Sequence, residues 1–182
     1  ISVSDISAGK LVFMPDGNEN GAPYATFQYQ VSDGSLYSNT ATVTINVPAV
    51  NDAPQLDLDG NDSSGVLGTG YQTTYTEGAP AVAIADIDTL VTDIDNSTIA
   101  SAKIVLTNAQ AGDMLTANGL PSGITGFVDT SVAGKITVTL TGVASKAAYE
   151  SAIEAVRYSS TSNNPSTTPR NVTVVVNDGV TD

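Results

Sequence analysis

The sequence predicts an all-β protein built from consecutive β-sandwich domains, and three observations point there. Val, Ile, Ala and Leu make up most of the apolar residues and stand among abundant Thr and Ser, a composition enriched in strands. Several segments alternate apolar and polar residues at period two, whereas one alone carries a helical stripe. An order of strand, Asn/Pro/Gly-rich loop, strand and Asp-Gly turn also occurs twice, residues 149–179 lying over 4–34 without a gap at an offset of 145. Tyr158 then falls on Phe13, Val172 on Phe27, Val174 on Tyr29, Val176 on Val31, Asp178 on Asp33 and Gly179 on Gly34.

The elements follow in chain order. In "LYSNTATVTINV", residues 36–47, Thr40, Thr42, Thr44 and Asn46 alternate with Ala41, Val43, Ile45 and Val47, the pattern of a half-buried strand. "AKIVLTNA" (102–109), "GKITVTLTGV" (134–143) and "RNVTVVVNDG" (170–179) alternate in the same way. "SKAAYESAIEAVRY" is the helical candidate, with Ser145 as N-cap and Ala148, Tyr149, Ala152, Ile153 and Val156 on one face, so a short helix is expected over one end of a sheet. Gly and Pro gather at the junctions "NGLPSG" and "NNPSTTP", as in the turns of a sandwich. The repeat sets the expected domains: 1–49 as the C-terminal part of one repeat, 50–55 as a linker, and 56–182 as a second repeat lacking its last strand.

At 182 residues the chain can bury a true core as one large domain or two small ones. Hydrophobic residues at 41% against charged residues at 14% place it among ordered globular chains. Its net charge of −13 repels nucleic acid and anionic membrane surfaces, and it contains no apolar run long enough to span a bilayer. With no Cys and no His, disulfides, thiolate chemistry, the usual structural zinc and histidine acid–base catalysis are excluded. A glycosidase-like carboxylate pair would lack Trp for a sugar-stacking cleft, so a non-enzymatic role is expected.

The acids are unevenly placed. No Lys or Arg occurs between Lys10 and Lys103, while Asp52, at the middle of that gap, and Asp57, Asp59, Asp62, Glu77, Asp86, Asp88, Asp93 and Asp95, in its second half, gather there, which implies a counter-ion from outside the chain. Calcium takes about 6–8 oxygen ligands, and carboxylates two residues apart on an extended segment point to one side. Asp57/Asp59, Asp86/Asp88 and Asp93/Asp95 all have that spacing. Like charges so placed raise each other's pKa unless a divalent ion reverses the sign. The competing reading is a solvated acidic surface that keeps the protein soluble. No EF-hand is present, since the twelfth position counted from Asp57 is Gly68; a calcium site would be assembled from distant segments. Asp33 and Asp178, in the repeated Asp-Gly turns, read as turn formers.

"VSDGSLYSNTATVTINVPAVNDAP" (31–54) resembles the end of a bacterial cadherin-like repeat and the linker into the next. "ENGAPYATFQYQVSDG", "TPRNVTVVVNDG" and "YTEGAPAVAIADIDTLVTDID" look like further parts of such repeats. They occur in tandem in large secreted adhesins of the RTX-adhesin type. The resemblance implies Ig-like or cadherin-like β-sandwiches with one short helix in the second domain, calcium near the junctions, and a place on the bacterial cell surface. Carried over by position, it implies Asn51 and Asp52 as linker ligands, Glu77 as an early acidic ligand, and Asp93 and Asp95 as a paired-aspartate motif; Asp57, Asp59, Asp86 and Asp88 stand on chemistry alone. The expected role is a Ca2+-stabilised spacer whose partners are neighbouring repeats of the same polypeptide. The alternatives are a glycan- or peptide-binding module and a subunit that self-assembles by donating strand 36–47 to another copy.

Overall fold

The computed structural model describes residues 1–180 and divides the chain into two units, Ile1–Asn51 and Asp52–Asp182. The first unit opens with a short helix that the residue pattern did not announce, α1 (Val3–Ser7), capped by Ser2, whose side chain accepts from Asp5 N while Asp5 reaches back to Ser2 N. Two antiparallel strands follow, β1 (Gly21–Tyr29) and β2 (Ala41–Val47), with Ala25 opposite Ile45, Phe27 opposite Val43 and Tyr29 opposite Ala41. In β2 the Ala, Val and Ile residues are half-buried and the Thr and Asn residues exposed, as the alternation requires.

The second unit contains β3 (Gln55–Asp57), β4 (Val82–Ala83), β5 (Leu90–Thr92), β6 (Thr98–Leu106), β7 (Asp113–Ala117), β8 (Thr125–Asp129), β9 (Ile136–Ser145), α2 (Lys146–Glu154), β10 (Val156–Ser160) and β11 (Val172–Asn177). One sheet runs β11-β6-β9-β8, a second β4-β10-β7, and β3 pairs with β5. Every pairing is antiparallel. The three alternating segments expected as strands are β6, β9 and β11, and their inward residues form one core. Ile99, Ala102, Ile104 and Leu106 of β6 meet Ile136, Val138 and Leu140 of β9, with Leu115, Val156 and Tyr158 from the opposite sheet. This is an all-β sandwich.

Ser145 caps α2 by accepting from Ala148 N at 3.2 Å, and Tyr149, Ala152 and Ile153 are fully buried on its inner face. Tyr149 donates its hydroxyl to Gly142 O at 2.8 Å, so its one polar atom is satisfied. Gly142 has φ +129, and a Cβ there would fall far inside contact distance of the Gly123 carbonyl oxygen; only glycine lets β9 and the 119–124 turn approach so closely.

Asp113, at the start of β7, is buried and receives the Arg170 guanidinium, the Tyr158 hydroxyl at 2.7 Å and Gln110 N at 2.8 Å. Burial alone would raise its pKa, but Arg170, Tyr158 and the Gln110 amide outweigh it and hold the carboxyl below the ordinary carboxylate range. Burial, followed by the same carboxylate, pushes Tyr158 up to about 12.

Asp113→Asn is therefore expected to lower the unfolding free energy at neutral pH by about 3–5 kcal/mol, because Arg170 is left buried without its partner. A depressed folded pKa adds stability that is complete above the unfolded pKa of about 3.9 and is lost as pH falls through the folded value. Urea melts from pH 7 to pH 2 should accordingly show a flatter acid decline for the variant than for the parent. Gly142→Ala is expected to cost about 1–3 kcal/mol by overpacking, read from the same melts at neutral pH.

Candidate functional site

The acidic segment after β3 is shaped by its own carboxylates. Asp57 Oδ1 accepts from Asp59 N at 3.0 Å, turning the chain out of the strand. Asp59 then turns inward, 0% exposed, and accepts from Ser63 N at 3.0 Å and Ser64 N at 2.8 Å. The turn runs close beneath the 86–88 segment: a Cβ on Gly60 would lie 3.0 Å from Asp88 O. Asp86 N donates to Leu58 O at 2.8 Å, and the Ser63 hydroxyl joins the segments by donating to Asp86 Oδ2 at 2.5 Å while lying 3.3 Å from Asp59 Oδ1.

The result is a group of three carboxylates, Asp59, Asp86 and Asp88, each offering an oxygen within 4.8 Å of the others. Asp88 Oδ1 is buried and has no hydrogen-bond partner. Neither ion pair among the described residues, Asp5–Lys10 or Asp113–Arg170, reaches these acids. Hydrogen bonds from Ser64 and Ser63 hold the Asp59 carboxyl below the ordinary range against the burial that would raise it. Glu154, at the end of α2, moves the other way: burial raises it first, then Glu150, Asp86 and Asp88. An oxygen-only, hard-donor set of this kind suits a hard cation.

The structure thus brings together three of the nine residues expected from sequence. Asp57, although two residues before Asp59, is not in the group: Asp59 lies beyond the strand end, so the period-two rule no longer applies. Glu77 is exposed beside the turn in which Ala79 N donates to Thr76 O, outside the group. Asn51 belongs to the first unit. Asp93 Oδ1 accepts from Asp95 N at 2.9 Å and Asn96 N at 2.7 Å, making a local turn, while Asp95 Oδ2 accepts from Asp52 N at 2.6 Å. Asp93 Oδ2 is buried without a hydrogen-bond partner. Lys146 Nζ reaches the same loop, donating to the main-chain Asp93 O at 3.0 Å and Asn96 O at 3.2 Å. Asp33 and Asp178 behave as turn formers, accepting from Ser35 and Leu36 amides and from Val180 N respectively.

Sequence reasoning missed Glu150 and Glu154. Both sit on the polar side of α2, Glu150 accepting from Val91 N at 2.9 Å; the signal available was the pair of acids four residues apart on a helix, a like-charge spacing that is unfavourable unless something compensates.

Residues 2–46 match the family model of a bacterial Ig domain. No curated protein matches the chain, and neither does any solved structure. The match is a likeness of the first unit to a bacterial Ig domain and does not distinguish the cadherin-like kind. No helix among the described residues is long and apolar enough to cross a membrane.

Asp59→Asn leaves one of two amide donors facing an NH2 group, and is expected to cost about 1–3 kcal/mol in chelator, measured by urea melts. Glu154→Gln removes a charge held against three like charges and should raise the melting temperature in chelator.

Proposed function

We propose that the protein is a Ca2+-stabilised structural repeat of a large bacterial surface adhesin or exoprotein, cadherin-like in its use of calcium, serving as a spacer that supports cell adhesion. The observation that carries this reading is the buried, unpartnered Oδ1 of Asp88 beside Asp59 and Asp86. A buried carboxylate oxygen without a donor is costly, and a hard divalent cation supplies what the chain does not. Asp59, Asp86 and Asp88 would hold the ion and Glu154 lies close enough to feel their charge. The ion would join the 57–64 turn to the 86–88 segment, stiffening the opening of the second sandwich beside the linker.

The match of residues 2–46 to a bacterial Ig domain agrees with an extracellular setting and tandem neighbours. The acid-rich, aromatic-poor composition agrees with a spacer more than with a glycan platform.

Calorimetric titration of the full chain with CaCl2 should show saturable binding, and calcium at 100 times its dissociation constant should stabilise by about 2.7 kcal/mol over chelator. Asp88→Asn should abolish that difference while leaving the chelated melt close to the parent's. A melt that is the same in calcium and in chelator, with no binding heat, refutes the reading.

A further inference from the structure

The acceptor pattern for an N-linked sugar, Asn-x-Ser/Thr with x other than Pro, occurs at Asn61-Asp62-Ser63, Asn96-Ser97-Thr98 and Asn171-Val172-Thr173. So short a motif arises readily by chance. Its surroundings decide whether it can work, because a transferase needs the Asn carboxamide nitrogen free and exposed, the hydroxyl two residues on within reach, and a chain segment that can enter a cleft without dismantling a sheet.

The three copies differ in these respects. Asn96 is half-buried, and its Nδ2 donates to Asp178 Oδ2 at 3.0 Å while its main chain is held by Asp93 Oδ1 and Lys146 Nζ. Asn171 is exposed, but its main-chain N donates to Asn108 Oδ1 at 2.8 Å, its O accepts from Thr107 N at 2.8 Å, and Thr173 lies within β11 opposite Val105. Drawing it into a cleft would strip β11 from β6. Asn61 stands at the corner of the turn closed by Asp62 N donating to Asp59 O at 3.0 Å, and Gly60, Asn61 and Asp62 are all exposed. Its Oδ1 accepts from Ser63 N at 2.8 Å, which folds the acceptor serine back against the carboxamide. Its Nδ2 makes no hydrogen bond among the described residues. The exposed Ser63 hydroxyl, which donates to Asp86 Oδ2, is released by rotation about χ1 alone.

We propose that Asn61 is a glycosylation acceptor that takes a sugar from a glycosyl diphosphate donor. Nδ2 bonds to the anomeric carbon as that carbon's bond to the diphosphate oxygen breaks; the diphosphate leaves with the electron pair, and one Nδ2 proton passes to a base of the transferase. The sugar projects into solvent from the turn tip, whereas the Asp59 side chain of the same turn faces inward, fully buried. Acceptor and cation site therefore use opposite sides of one turn, and each reading stands if the other fails.

Two donors test this on the purified, folded full chain, with sites read by peptide mass spectrometry: UDP-glucose with a soluble N-glycosyltransferase, and a polyprenyl-diphosphate-linked oligosaccharide with a membrane-bound one. Asn61 should be modified with at least one of them, which identifies the source of the sugar, and occupancy at Asn96 and Asn171 should be several-fold lower. Asn61→Gln should remove the modification and leave the melt unchanged, because Ser63 N keeps Asp59 Oδ1 as acceptor at 3.0 Å. Ser63→Thr, which retains the hydroxyl, should still be modified, and Ser63→Ala should not. An Asn61 left unmodified by both donors, equal occupancy at Asn96 or Asn171, or undiminished modification of Ser63→Ala overturns the proposal.

Discussion

The buried contact between Asp113 and Arg170 is the constraint on which the second unit is organised. Asp113 opens β7 in one sheet, and Arg170 stands two residues before β11 in the other. Tyr158 of β10 donates to the same carboxylate, and its ring meets Tyr75 edge-on at 5.4 Å. Arg170 also donates to Thr168 O and Ser166 O, strapping the loop that leads into β11. A buried ion pair gains little net stability over apolar packing. Its consequence here is placement: it decides where β11 begins and therefore which of its residues meet β6.

The first unit carries the same sequence pattern and has no such lock. Arg170 falls on Ala25 under the repeat, and Tyr158 on Phe13, which rests edge-on against Tyr24 at 5.7 Å. The strand order and the Asp-Gly turn survive, but the sheet face does not find a second layer among the described residues of that unit. A sheet with one uncovered apolar face is half a sandwich. The contrast separates what local pattern specifies, namely strands and turns, from what only a second layer supplies, namely burial.

Long alternating segments were legible because period two survives any context: β2, β6, β9 and β11 lie where Val, Ile and Thr alternate. The helix α2 was legible from Ser145 and its stripe. The two- and three-residue strands β3, β4 and β5 were not, since so few residues hold no period, and α1 rests on a Ser2–Asp5 capping box with no apolar stripe behind it. In the acidic stretch, spacing alone did not decide which carboxylates converge. Asp57 and Asp93 spend an oxygen on amides two residues ahead, whereas Asp86 and Asp88 flank exposed Ile87 and do converge. Glu154 lay beyond reach of local pattern because its contribution depends on how α2 returns over β5.

The acidic turn and a cavity of about 510 Å³ alongside the beginning of β11 share a residue. Leu58 lies between Asp57 and Asp59, its carbonyl receives Asp86 N, and it lines part of the cavity. Ile84, two residues before Asp86, lines the same cavity. Leu58 and Ile84 therefore tie the 57–64 turn and the 86–88 segment to the apolar side of the sandwich through one hydrogen bond and the intervening backbone, although none of Asp59, Asp86 and Asp88 lines the cavity.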